Sequence, residues 1–169
     1  MPVRSGGAFS PQASRAAHAL WELEQHRRAR DAPAVGFLED GHTHLFVVSA
    51  DGGAPRQITN AKWSAGAGEL RNAVLMDWTP DSKAIVFEAD RTAEADLHYH
   101  TSQLLVAEIA TGAIRELVAT PGSWTRPAVS PDGTTVAFTG YPESKHTHTV
   151  ADLYVIPLAG GEMRKISGD

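Results

Sequence analysis

The fold is decided by the segment Val129–Phe138, which reads VSPDGTTVAF. Pro131 pre-sets the φ angle that the first corner of a tight turn needs, and Gly133 tolerates a left-handed conformation at the exit of that turn. The residues that follow are mostly β-branched or aromatic, which is typical of a half-buried strand. The segment therefore predicts a turn that leads directly into a β-strand.

The same pattern occurs a second time, at Trp78–Phe87. Pro80 matches Pro131 and Phe87 matches Phe138, both at an offset of 51 residues. A single turn of this kind is weak evidence for a fold. Because the spacing is kept in two copies, the pattern indicates a structural repeat of about fifty residues.

Three hairpin segments complete the repeat: Leu45–Thr59, Leu104–Leu117 and Leu153–Ile166. In each, an arginine lies eleven residues after the first leucine, and an isoleucine or leucine lies thirteen after it. The residue eight positions after the first leucine, where a hairpin needs a positive φ, is always glycine: Gly53, Gly112 and Gly161. One unit thus has about fifty residues and four short strands, as in a propeller blade.

The sequence therefore predicts an all-β fold, a partial β-propeller of about three four-stranded blades with one N-terminal α-helix. We expect a helix and linker at 1–33 and the propeller at 34–169, with blades at about 34–71, 72–122 and 123–169. Closed propellers have four to eight blades, so about three blades do not close a ring. Three tryptophans are expected to pack within and between blades: Trp63, Trp78 and Trp124.

The N-terminal helix is predicted from its start signal and its composition. Ser10 suits an N-cap and Pro11 the first helical position. From Gln12 to Arg30 there is no glycine or proline, and good helix formers dominate. Two interpretations stay open: a basic amphipathic helix that docks on a partner or an acidic surface, or a terminal helix that caps an exposed sheet edge or frays.

Composition narrows the class of protein. The chain of 169 residues has no cysteine and a net charge of −5. It has no apolar run long enough for a bilayer and no secretory signal. We therefore expect a cytoplasmic protein, unless the chain belongs to a longer secreted one, with neither nucleic acid nor membrane as partner. No cofactor is predicted.

Four segments together resemble the PD40-type repeats of TolB-like propellers: Trp78–Phe87, Val129–Phe138, Leu153–Ile156 and Arg164–Ser167. More closely, they resemble the N-terminal propeller of bacterial prolyl oligopeptidase-family serine peptidases, of the acylaminoacyl- and dipeptidyl-peptidase type. The resemblance is good over residues 77–169. It implies a propeller that is not itself catalytic and that caps an α/β-hydrolase domain carrying serine, aspartate and histidine.

The function implied by this resemblance is to gate or position a peptide substrate for a hydrolase domain that this chain does not contain. The nucleophile motif G-x-S-x-G does not occur, and the nearest approach, around Ser64, lacks the first glycine. No catalytic residue is therefore predicted. The alternative is a stand-alone TolB-like propeller that serves as a protein-binding scaffold, with self-association through open blade edges.

Two long insertions, Ala89–Ser102 and Thr139–Ala151, are candidates for binding, since long loops on a rigid scaffold often carry function. In the resembled peptidases, propeller loops help to hold the N-terminal part of the substrate. Arg91 and Tyr141 are on this basis the candidate substrate-binding residues. The competing interpretation is that both are ordinary solvated loop residues.

Histidines occur in pairs that precede the leucine-rich strand of each unit. Residues two apart on a strand face the same way, so each pair could present two imidazoles to one metal ion. A small metal-dependent protein is thus a third interpretation, and polar loop residues are the simpler one. The six candidates are His42, His44, His98, His100, His146 and His148.

Overall fold

The computed structural model describes residues 42–66, 75–91, 101–144 and 149–168, and the backbone of His18–Leu20. These residues form β-strands and connecting turns, with no helix among them, and hence none that could cross a bilayer. In chain order the strands are β1 (His18–Leu20), β2 (Phe46–Val48), β3 (Arg56–Gln57), β4 (Ser64–Ala65), β5 (Met76–Trp78), β6 (Ala84–Asp90), β7 (Gln103–Glu108), β8 (Ile114–Glu116), β9 (Gly122–Val129), β10 (Thr135–Pro142), β11 (Asp152–Pro157) and β12 (Arg164–Lys165).

The strands form three antiparallel sheets, which confirms the all-β prediction. Sheet 1 has the order β1-β2-β3. Sheet 2 has the order β4-β6-β7-β8, with β5 also on β6, and sheet 3 has the order β9-β10-β11-β12. Neighbouring strands mostly follow one another in the chain, so sheet 3 and most of sheet 2 are simple meanders.

The short strand β4 pairs across the boundary that the sequence predicts near residue 71. Residues 34–71 were expected to form one blade, yet Ser64 pairs with Asp90 and Ala65 with Ala89, both on β6 of sheet 2. The short strands β4 and β5 lie one after the other along the same edge of β6. In sheet 3 the single strand β9 occupies the equivalent edge of β10. A local sequence pattern does not show that two short strands share this edge in sheet 2.

The N-terminal helix is not confirmed. Most of its expected range lies outside the described residues, and the described part, His18–Leu20, is a strand that pairs with Phe46–Val48. The helix prediction is therefore wrong at these three residues. Edge backbone groups of β2 offer hydrogen bonds that outweigh a helix propensity of a few tenths of a kcal/mol per residue.

Both proline–aspartate turns adopt the predicted geometry. In the first, Ser82 N–H donates to the Thr79 carbonyl at 2.8 Å, and in the second, Gly133 N–H donates to the Ser130 carbonyl at 2.8 Å. Ser82 has a φ of 57° and Gly133 a φ of 70°. Each turn is therefore a tight corner followed by one left-handed residue, which returns the chain into β6 or β10.

The apolar core lies between the sheets. Leu45 and Ile58, which flank β2 and β3 of sheet 1, pack in one cluster with Phe87 of sheet 2, and Trp63 and Trp78 pack against this cluster. A second cluster joins sheets 2 and 3 around the fully buried Trp124, together with Leu104, Val106, Phe138 and Tyr154. The tryptophans are thus packing residues, as predicted. Loss of such a side chain costs about 3–5 kcal/mol, so these clusters hold adjacent sheets together.

Two of the three arginines that lie eleven residues after the first leucine of a hairpin segment link one sheet to the next. Arg56 of sheet 1 donates from Nη2 to the carbonyl of Ile109, after β7 of sheet 2. Arg115 of sheet 2 donates in the same way to the carbonyl of Leu158, after β11 of sheet 3. Both acceptors lie five residues after the first leucine of their own hairpin. The same sheet-to-sheet contact is therefore made twice.

Candidate functional site

The two sequence-predicted binding residues lie at matching places in neighbouring sheets. Arg91 directly follows β6, and Tyr141 is near the end of β10. Since β6 and β10 carry the two turn-strand copies, their ends fall at the same end of the structure, which we call the insertion end. The loops that follow, 92–100 and 145–148, lie outside the described residues.

Arg91 is exposed and directed toward the outer strand of its own sheet. Its Nη2 lies 3.9 Å from Glu116 Oε2 on β8, and both side chains are about one third exposed. A surface ion pair of this length contributes little to stability. The guanidinium can therefore leave Glu116 and meet an anionic or carbonyl group of a ligand at low cost.

The backbone at Tyr141 is held tightly, while its side chain is half-buried. Tyr141 pairs with Ser123, and Glu143 N–H donates to the Pro121 carbonyl at 2.9 Å. At Gly140, which has a φ of 154°, an added Cβ would overlap the Ser123 carbonyl oxygen. Tyr141 is thus placed on a rigid hairpin end.

A hydroxyl network joins sheets 2 and 3 beside these residues. Ser102 Oγ accepts a hydrogen bond from Trp124 N–H at 2.8 Å and donates to the Trp124 carbonyl at 2.9 Å. Ser123 Oγ lies 3.3 Å from Ser102 Oγ. The sequence did not predict this network, because it joins segments that are more than twenty residues apart. The network makes the insertion end rigid across the boundary between two sheets.

Of the three histidine pairs, only His42 and His44 fall within the described residues. Their ring centroids are 6.4 Å apart, and His44 Nδ1 lies 3.3 Å from Thr59 Oγ1. Within the described ranges, no group of three or more histidine, aspartate or glutamate side chains could hold a metal ion. The other four histidines lie outside those ranges, so the metal site stays a prediction.

At the opposite end, the two proline–aspartate turns face each other across a groove of about 390 Å³. Asp81, Glu108 and Asp132 make the groove acidic, and Lys83 Nζ lies 3.5 Å from Asp81 Oδ2. The Ser130 hydroxyl and the Thr134 backbone and hydroxyl groups lower the pKa of Asp132 to about 2. The Thr79 hydroxyl and the Lys83 N–H likewise lower the pKa of Asp81. Both aspartates are engaged in their own turns, so this groove is a structural feature.

Comparisons with known proteins identify the fold. No family model matches the chain, and no curated protein matches it in sequence. TolB from Acinetobacter baumannii matches in structure with a TM-score of 0.52 at 19% identity, over 75% of this chain and 27% of that chain. The tricorn protease matches with a TM-score of 0.50 at 14% identity, over 68% of this chain and 12% of that one. An acylaminoacyl peptidase in complex with a chloromethyl ketone reaches 0.46 at 13% identity, over 73% and 20% of the two chains.

The described sheets therefore have a propeller-like fold, in which sheet 3 is a four-stranded antiparallel meander. In particular, they have the fold of the TolB-like propellers, which confirms the predicted resemblance at the level of fold. The chain spans about a quarter of the TolB chain that it matches.

Proposed function

We propose that this chain is the non-catalytic propeller portion of a prolyl oligopeptidase-type serine peptidase. In this role it gates or positions a peptide substrate for a hydrolase domain that lies outside this chain. The observation that carries the proposal is the structural match of these repeats to the tricorn protease. The resemblance of both turn-strand segments to this peptidase family supports the same conclusion.

The insertion end is the part of the chain that would meet the peptide. Arg91 is exposed there and only loosely paired, so its guanidinium can donate to a peptide carbonyl or carboxylate. Tyr141 can add an aromatic face and a hydroxyl. Since the Ser102–Trp124 contacts make this end rigid, binding a peptide would cost little reorganisation of the scaffold.

The second candidate function is a stand-alone TolB-like scaffold that binds proteins or associates with itself. It is favoured by the match to TolB, and by the large apolar residues that are exposed on sheet 3. The net charge of −5 makes nucleic acid an unfavourable partner for either role.

Peptide binding tests the proposal directly. Short fluorescein-labelled peptides, with free or acetylated N-termini, are titrated with the folded chain and followed by fluorescence polarisation. We expect saturable binding that Arg91→Gln and Tyr141→Ala each weaken about fivefold, as for the loss of one hydrogen bond or aromatic contact. Lys83→Gln is the matched control, because Lys83 is an exposed cation at the opposite end.

Three outcomes would contradict the proposal. The first is the absence of peptide binding by a chain that is folded by circular dichroism. The second is an equal effect of all three substitutions. The third is hydrolysis of acylaminoacyl chromogenic substrates by the chain alone, which would show that it is catalytic. A chain that captures intact proteins but no short peptide supports the scaffold function instead.

A further inference from the structure

The edge strand β9 of sheet 3 contains a bulge. The register shifts by one residue between two pairs, Thr125 with Thr139 and Ala128 with Ala137. One extra residue is therefore inserted on β9, and Arg126 and Pro127 together oppose Phe138. Pro127 is buried, whereas Arg126 is exposed. The bulge thus leaves the Arg126 side chain in solvent, while the strand on both sides of it stays paired.

Arg126 has a backbone conformation that disfavours a residue with a side chain. Its φ is 55°, in the left-handed region where glycine is the usual residue. Among the described residues, Ser82 is the one other non-glycine residue with a positive φ, and it lies at the corner of a tight turn. Arg126 lies within a strand instead, at a bulge position that normally holds glycine. The backbone therefore does not account for an arginine here, and strain of this kind is typical of functional positions.

Sheet 2 holds the strand on both sides of Arg126. The Thr125 hydroxyl donates to the carboxyl group of Glu88, and Val129 N–H donates to Asp77 Oδ2 at 2.7 Å. Within the described part of the chain, the Arg126 guanidinium itself has no hydrogen-bond or ion-pair partner. The backbone is therefore fixed where this cation lies, so that an anion can bind with little ordering of the strand.

Arg126 lies within reach of a peptide at the insertion end. Tyr141 pairs with Ser123, three residues before Arg126 on β9. At about 3.3 Å per strand residue, the two positions are about 10 Å apart along the strand, the length of about three residues of extended peptide. β9 is an edge strand, and in a propeller the first strand of each sheet lies beside the central channel. A short peptide that contacts Tyr141 can therefore place a charged group at Arg126.

We propose that Arg126 binds a carboxylate group of the peptide and thereby selects peptides with a negative charge about three residues from the part that contacts Tyr141. The inference rests on the proposed function, because it assigns a specificity to the same peptide. A guanidinium donates two parallel hydrogen bonds to a carboxylate, an arrangement that an uncharged amide cannot match. The carboxylate is that of the peptide C-terminus or of an acidic side chain, since both present the same pair of oxygens.

The test compares peptides that differ by one charge. Short peptides labelled at the N-terminus with a neutral fluorophore are made in three forms: the free acid, the C-terminal amide, and the amide with one internal aspartate. Each is titrated with the folded full chain and followed by fluorescence polarisation, at low and at high ionic strength. Arg126→Gln removes the cation and Arg126→Lys keeps it. Lys83→Gln is the matched control, because Lys83 is an exposed cation at the opposite end.

We expect at least one of the two charged peptides to bind about fivefold more tightly than the uncharged amide, and this preference should shrink at high ionic strength. The peptide that shows the preference identifies the source of the carboxylate. Arg126→Gln should abolish the preference and leave the affinity for the uncharged amide unchanged. Arg126→Lys should keep part of it, because the charge remains while the paired hydrogen bonds are lost. Lys83→Gln should keep all of it.

Two outcomes would overturn the role of Arg126 alone. The first is equal binding of charged and uncharged peptides by the natural chain, with both weakened by Arg91→Gln, which leaves the proposed function standing. The second is a preference for charged peptides that Arg126→Gln does not change, because another cation then binds the carboxylate. If none of the peptides binds to the folded chain, the proposed function and the role of Arg126 are both wrong.

Arg126→Gly supplies a second readout, which separates the stability of the chain from its binding. Glycine adopts a φ of 55° without strain, so this substitution should raise the melting temperature by about 2–4 °C. Arg126→Gln keeps the Cβ and should leave the melting temperature unchanged, although both variants lose the preference for a carboxylate. A gain in stability together with a loss of selectivity is expected for a residue that serves binding. If Arg126→Gly lowers the melting temperature, Arg126 stabilises the fold and the proposal is wrong.

Discussion

The hydroxyl of Thr125, on β9, donates a hydrogen bond to the carboxyl group of Glu88, on β6. Glu88 is buried at the boundary between sheets 2 and 3, where removal from water is costly unless its oxygens find donors. A contact between residues 37 positions apart thus makes a polar group compatible with the core between two repeats.

Thr125→Val should destabilise the protein by about 1–3 kcal/mol, because it removes a donor from a buried carboxyl group while keeping the shape of the side chain. The measurement is the urea unfolding midpoint at constant slope. Thr139→Val is the control, since its hydroxyl lies 3.5 Å from the Thr125 carbonyl and contributes little. If the two variants lose the same free energy of unfolding, the hydrogen bond to Glu88 is not the cause of the destabilisation.

Ser82→Gly should stabilise the protein by up to about 1 kcal/mol. Ser82 has a φ of 57°, a conformation that costs a residue with a Cβ more than it costs glycine. The reciprocal change, Gly133→Ala, places a Cβ at a φ of 70° and should destabilise by about 1–2 kcal/mol. Both effects are read from thermal melts. A lower melting temperature for Ser82→Gly would contradict the role assigned to this turn.

The stability should depend on Asp132 in acid. Hydrogen bonds from Ser130 and Thr134 lower the pKa of Asp132 from 3.8 to about 2 in the folded protein, so the unfolded chain binds this proton more tightly. The resulting stabilisation is complete above about pH 4 and is lost as the pH falls through about 2. The difference in unfolding midpoint between the natural chain and Asp132→Asn should therefore shrink between pH 4 and pH 2. If the difference in unfolding midpoint stays constant from pH 4 to pH 2, the ionisation of Asp132 does not contribute to stability.

Gly140→Ala should destabilise the protein by more than about 1 kcal/mol, because an added Cβ would overlap the Ser123 carbonyl oxygen of the paired strand. Gly160→Ala is the matched control, since Gly160 also has a positive φ, of 92°, but no heavy atom lies within 4 Å of its added Cβ. Denaturant titration compares the two. If Gly140→Ala loses no more stability than Gly160→Ala, the hairpin end at Gly140 is not tightly packed.

The sequence suggested candidates for the site but not their contacts. Arg91 and Tyr141 were predicted because the insertions that begin beside them interrupt a regular repeat, and their role in binding stays a prediction. The pairing of Arg91 with Glu116 was not predictable, since these residues lie on strands that only the fold of sheet 2 brings together. The Ser102–Trp124 network was missed for the same reason.

The sequence by itself determined the local geometry. Proline, aspartate and glycine restrict φ over a few residues, so the corner at Val129–Phe138, its copy at Trp78–Phe87 and the hairpin glycines could be read directly. Only the tertiary structure decided the contacts between distant segments. The chain pairs β1 with β2 and β4 with β6, and Arg115 reaches Leu158, because backbone donors and apolar faces are satisfied by whatever packs beside them in space. That is also why Leu153, whose sequence context matches that of Leu104, is exposed where Leu104 is buried.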